Sequence, residues 1–111
     1  MHQDPVAAAP LTFSDIPLEE GIAFMKQFPC HSAVSFSNEL THAGYKDIPS
    51  SYLFCEEDLV IPPKNQQEGI DLIEKVSGKK VEVTRIKFGH CAPISAPKDV
   101  IDWIVGVAKK A

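Results

Sequence analysis

The sequence predicts an α/β fold of two parallel strands and about four helices, and three observations predict it. Tyr52, Leu53, Phe54 and Cys55 form a continuous apolar run, the pattern of a strand covered on both faces. Val81, Val83, Ile86 and Phe88 mark a second strand, and each strand is followed by apolar residues at helical spacing. Strand, helix, strand, helix in that order implies a right-handed crossover between parallel neighbours.

The 111 residues suit one small domain, which on folding should hide roughly two thirds of the surface of its unfolded chain. Residues 1–12 contain His2, Pro5, three alanines and Pro10; they offer little to pack and predict a flexible arm. Order is expected from Phe13. Ser14 or Asp15 can cap a helix, Pro17 suits its first turn and Glu19-Glu20 lie near its positive end. Leu18, Ile22, Met25 and Phe28 share its inner face, and Pro29 stops it. A second helix is predicted over residues 32–42, where Ala33, Phe36, Leu40 and Ala43 make one stripe and Gly44 supplies the stop.

Asp47-Ile48-Pro49 reads as an extended entry to the first strand, because the residue before proline avoids the helical region. Pro62-Pro63 opens the next helix, with Ile70, Ile73 and Val76 on one face and Gly78 at its end. In the second strand the apolar parity switches between Val83 and Ile86. Either the strand is buried on opposite faces at its two ends or it carries a bulge. Pro97 opens the last helix, with a stripe of Val100, Ile101, Ile104, Val105 and Ala108, Trp103 beside it and Lys109-Lys110 at the negative end. Two strands cannot bury both faces of a sheet, so further strands are expected at its edges.

Net charge is −4, and Lys and Arg are scattered singly apart from Lys79-Lys80 and Lys109-Lys110. This argues against nucleic acid as a partner. The amino terminus has no basic run leading into a signal-like stretch, and no apolar run approaches the ~20 residues of a membrane span. The expectation is a soluble, cytoplasmic chain with no membrane partner. Cys30, Cys55 and Cys91 are odd in number and form no C-x-x-C, so reduced, mostly buried thiols are expected, with no metal and no cofactor.

Glu56-Glu57-Asp58 and Gly89-His90 follow the ends of the two strands, where ligands collect in an open parallel sheet. An imidazole at such a place can take the proton of a serine hydroxyl, provided a carboxylate on its other nitrogen fixes the tautomer. His90 suits the first role and Asp58, short enough to be held rigidly, the second. Glu56 and Glu57 compete with Asp58, and an ordinary loop acid and a satisfied histidine are the plain alternatives. Gly89 lets the backbone turn closely before the imidazole. No Gly-x-Ser-x-Gly occurs among the eight serines, and no glycine run offers an oxyanion hole.

Other candidates are weaker. Cys91 is adjacent to His90, and neighbouring side chains of an extended segment point apart. Cys30-His31, His42 and Cys55 lack the spacing that organises zinc, although His31 and His42 are about three helical turns apart. Phe24, Phe36 and Trp103 read as packing residues, and residues 64–67 as a solvated helix start.

Two stretches carry a resemblance: residues 47–63, from Asp47-Ile48-Pro49 through Tyr52-Leu53-Phe54-Cys55-Glu56-Glu57-Asp58 to Pro62-Pro63, and Phe88-Gly89-His90-Cys91-Ala92-Pro93-Ile94-Ser95-Ala96-Pro97. They resemble the carboxy-terminal half of the α/β-hydrolase superfamily. Within it they are similar to the single-domain esterase-like group that includes plant methylesterases, hydroxynitrile lyases and fungal relatives. The resemblance covers residues 13–111. It implies that residues 13–46 form the end of a helical cap and the helix returning to the sheet, and that residues 47–111 form the carboxy-terminal part of the core. It also implies that Asp58 is the triad acid and His90 the triad base of a serine ester hydrolase. The family's early strands, oxyanion loop and nucleophile elbow have no counterpart here. One reading is therefore a fragment that acts on a small ester only when a complementing chain brings the serine. The other is a catalytically silent remnant or interaction module, binding a protein or itself through an exposed strand edge or apolar helix faces.

Overall fold

The two apolar runs pair as a parallel ladder in a computed structural model that describes residues 3–111; Met1 and His2 of the expected arm lie outside the described residues. Strand β1 (Ser51–Cys55) lies beside β2 (Glu82–Ile86) in unbroken register from Ser51 opposite Glu82 to Cys55 opposite Ile86. The ladder runs on, with the Glu56 amide donating to the Ile86 carbonyl at 2.9 Å and the Glu57 amide to that of Phe88 at 3.2 Å. A bulge is thereby excluded. The parity switch instead reflects burial on two sides: Val81 packs with Phe54 and Ile70, while Ile86 and Phe88 are half-buried on the other parity.

Helix α3 (Pro63–Ser77) is the crossover, and it ends as expected at Gly78, whose φ of 69° is a left-handed value that favours glycine. It buries Ile70 against Phe54 and Val81. A one-turn helix α4 (Ala92–Ser95), absent from the sequence expectation, leads into α5 (Pro97–Lys110), none of whose residues is fully buried.

The amino-terminal region departs from expectation. Residues 5–12 are not a loose arm but helix α1 (Pro5–Thr12), which packs on α2 (Leu18–Met25). Asp4 caps it by accepting from the Val6 amide at 3.0 Å, Pro5 sits in the first turn where its missing N–H costs nothing, and three alanines favour helix. Ala9, Phe13 and Met25 form a small core, and the Phe13 ring stacks on Phe24 at 5.5 Å between centroids.

The helix expected over residues 32–42 does not form. A single 3-10 turn, Val34–Phe36, is all that remains. Ser35 and Ser37 donate their hydroxyls to the carbonyls of Ser32 and Val34, competing with the helical ladder. The apolar stripe also lacks a partner, since Phe36 is 70% exposed and Leu40 69%. Phe36 is thus not a core residue.

The accessible surface is 7842 Å², whereas a folded monomer of this mass should expose ~6,100 Å². The radius of gyration of 15.6 Å likewise exceeds the ~13 Å expected for this length. The chain hides closer to half of its unfolded surface than two thirds. Among the described residues, no helix is long and apolar enough to cross a membrane.

The entry to β2 yields a pH prediction. The Glu74 carboxylate accepts from the Val81 amide at 3.1 Å and from Lys80 Nζ at 3.2 Å, and these bonds, the backbone one first, hold its carboxyl below the usual glutamate range. A depressed carboxyl stabilises the fold fully above its unfolded value and loses that contribution as pH falls through the folded one. Glu74→Gln should therefore lower the urea midpoint at neutral pH and converge with the wild type as pH falls through the lowered folded-state value. A constant difference across that range would contradict the assignment.

Candidate functional site

Asp58 and His90 come together just beyond the paired strand ends. The ladder holds Cys55 opposite Ile86, so the loops leaving those residues start about 4.8 Å apart, one strand spacing. Asp58 is 6% exposed. Its carboxylate receives His90 Nδ1 at 2.9 Å on Oδ2 and 3.1 Å on Oδ1. Oδ1 also accepts from the amides of Val60 at 2.8 Å and Ile61 at 2.9 Å, a turn that wraps the chain around its own side chain. With Nδ1 donating to a carboxylate, the lone pair of the ring lies on Nε2, the arrangement of a base aimed away from its acid. Among the described residues, no hydrogen bond or ion pair joins Glu56 or Glu57 to His90.

Gln66 is the residue that sequence reasoning missed. Expected in a solvated helix start, it is 3% exposed. Its Oε1 accepts from the Cys55 amide at 3.0 Å, and its Nε2 donates to the carbonyls of Cys55 at 2.8 Å and Ile61 at 2.9 Å. One side chain thus ties the end of β1 to the far end of the acid's turn. The signal was present in its position: Gln66, Ile70 and Ile73 share the inward face of α3.

The histidine loop is tied from the other side. Asp15, between α1 and α2, accepts from the Gly89 amide through Oδ2 at 2.7 Å. A Cβ on Gly89 would lie 2.8 Å from Ser14 Oγ, so a side chain there would have to displace that hydroxyl. Cys91 packs against the Ala9, Phe13 and Met25 core.

His90 and Cys91 line a cavity of about 290 Å³ with Thr12, Met25, Phe28 and Phe36 among its other walls. His31 also reaches it, with its ring 4.7 Å from that of Phe36. His31 and Phe36, read from sequence as an unorganised histidine and a packing residue, are therefore wall residues of the cavity that contains His90. His42 stands apart, paired with Asp47 at 3.0 Å on the surface.

Neither Cys55 nor Cys91 is an activated nucleophile. Cys55 is buried, Cys91 half-buried and Cys30 exposed. Burial pushes the Cys91 thiol up, and the carboxylates of Asp15 and Asp58 push it further; burial, then Asp58, then Asp15 do the same to Cys55. A thiolate is disfavoured at both. Among the described residues, no three His, Cys, Asp or Glu side chains are grouped to hold a metal ion.

Replacing Gln66 tests the tie. In Gln66→Leu the Cys55 amide and two carbonyls lose their partners, at about 1–3 kcal/mol for each group left buried and unpaired. The expected loss is at least ~2 kcal/mol in urea unfolding, and Gln66→Glu, which keeps only the acceptor, should also be destabilised. Wild-type midpoints in both variants would contradict the role given to Gln66.

No family model matches the chain. It is similar to a protein named "Probable hydrolase R7" from Phoma sp., 37% identical over 108 residues that cover 97% of this chain and 44% of that protein. It is also similar to "Alpha/beta hydrolase nvfD" from Aspergillus novofumigatus, 32% identical over 77 residues that cover 69% of this chain and 29% of that protein. The chain therefore spans less than half the length of either relative. Its crossover-linked parallel strands, with helices around them, are consistent with a part of that fold. By this similarity and this architecture, the chain belongs to the α/β-hydrolase superfamily, of whose fold it carries a part.

Proposed function

We propose that Asp58 and His90 are the acid and base of a serine-type carboxylic-ester hydrolase, and that the nucleophile comes from polypeptide outside these 111 residues. The observation that carries this reading is the imidazole held through Nδ1 by a buried carboxylate. In the reaction, a serine oxygen attacks the ester carbonyl as His90 Nε2 takes its proton. The imidazolium so formed lies against the Asp58 carboxylate, which stabilises it. His90 then returns the proton to the departing alkoxide as the carbonyl–oxygen bond breaks. Water enters by the same route, its proton going to Nε2 and then to the serine oxygen as the acid is released. The cavity beside His90 suits the apolar part of a small ester. On this reading the chain is the carboxy-terminal portion of the core, and the surface in excess of a closed monomer is where the complementing polypeptide packs.

A second reading rests on α5, whose Ile101 and Ile104 are more than half exposed: a catalytically silent module that uses this apolar face to bind another protein. Complementation separates the two. The purified chain alone should hydrolyse an activated short-chain aryl ester no faster than background, because losing a triad serine costs on the order of a million-fold in turnover. Co-expression with the part of the Phoma relative that the chain does not match should give a co-eluting complex that hydrolyses the ester, and His90→Ala should abolish the activity. A co-eluting complex without activity would favour the silent module. Activity of the isolated chain that is lost in Cys91→Ala would overturn the external nucleophile.

A further inference from the structure

Asp15 is a carboxylate that the proposed chemistry leaves unused, yet it sits against the histidine loop. It lies 74 residues before Gly89 in sequence, and its Oδ2 accepts from the Gly89 amide at 2.7 Å. Its other oxygen, Oδ1, is buried, and no donor reaches it among the described residues. A buried carboxylate oxygen without a partner is costly, so the exposed geometry open to any surface aspartate is forgone here in favour of the Gly89 bond. The residues on either side strengthen the case. Phe13 anchors the turn in the small core, where Cys91 also packs, and Ser14 occupies the space a side chain at position 89 would need. The histidine is thus bracketed: Gly89 before it is bonded to Asp15, and Cys91 after it is packed on the α1–α2 pair.

We infer that Asp15 is a positioning residue for His90: by fixing the Gly89 amide it sets the direction in which the imidazole leaves its loop, and so keeps Nδ1 on the Asp58 carboxylate. The inference rests on the reading of His90 and Asp58 as base and acid. On this account the α1–α2 pair holds the base in place as well as walling the cavity. Ring positioning from a distance has large consequences, since displacements of about 1 Å at a reacting group can cost on the order of a hundred-fold in rate.

Hydrogen exchange and ¹⁵N NMR of histidine-labelled full chain test this without requiring activity. The wild type should show a His90 Nδ1–H resonance, and a Gly89 amide that exchanges slowly. Asp15→Ala should speed Gly89 exchange at least ten-fold relative to amides of α3 and broaden or abolish the Nδ1–H resonance. Asp15→Asn, which keeps an acceptor oxygen, should restore both to within a few-fold, an outcome that general destabilisation would not produce. Should Asp15→Ala be too unstable to assign, Ser14→Ala with Gly89→Ala tests the same approach: the double variant should retain the Nδ1–H resonance better than Gly89→Ala alone. If Asp15→Ala leaves the resonance and Gly89 exchange unchanged, the positioning role is overturned while the acid–base reading stands. If the wild type itself carries no proton on Nδ1, both fall.

Discussion

The buried carboxylate of Asp58 is the constraint on which the site depends. Removing a carboxylate from water costs several kcal/mol unless donors fill its lone pairs, and Asp58 is almost wholly out of water. Three donors meet it: two amides of its own turn and the imidazole of His90. Each must be delivered with the right geometry. The turn is closed by Gln66, which binds the backbone at Cys55 and Ile61. The imidazole arrives because the parallel ladder sets Ile86 beside Cys55 and because Asp15 bonds the amide just before it. Strand pairing, crossover helix and amino-terminal helices thus converge on one group of two oxygens.

How much of this was legible in the sequence depended on whether a residue's neighbours were local. The strands were legible because Tyr52–Cys55 is apolar throughout, and the crossover helix because Pro63 and Gly78 bracket an apolar face. Asp58 and His90 stood out as polar groups at strand ends. Residues 5–12 were misread because alanine and proline were weighed as featureless, although Asp4-Pro5 before an alanine run is a helix start. Residues 32–42 depart in the opposite direction: the stripe is there, but serines bond to nearby carbonyls and Phe36 and Leu40 stay mostly exposed. Gln66 reads as a solvated helix start and Asp15 as a possible helix cap because their partners are backbone groups 11 and 74 residues away, and backbone atoms leave no trace in a sequence.

The exposed apolar surface belongs to the same account. A sheet with no third strand on either side among the described residues, and a 14-residue helix with no fully buried residue, are what a portion of a larger sheet-and-helix fold looks like without its remainder. The site itself is less dependent on that remainder, since Asp58, His90, Gln66, Asp15 and the cavity walls all lie within this chain. An imidazole held on a buried carboxylate beside an apolar cavity can be assembled on part of a fold, whereas the edges that such a part exposes cannot be satisfied by it.

The protonation pattern of the His90 ring is the most direct measure of whether Asp58 orients it. In selectively ¹⁵N-labelled protein near neutral pH, the neutral ring should carry its hydrogen on Nδ1, and Asp58→Leu, which removes the acceptor, should shift it largely to Nε2, the usual preference of an unconstrained imidazole. A ring already protonated on Nε2 in the wild type, or one whose tautomer is the same in Asp58→Leu, would contradict the account.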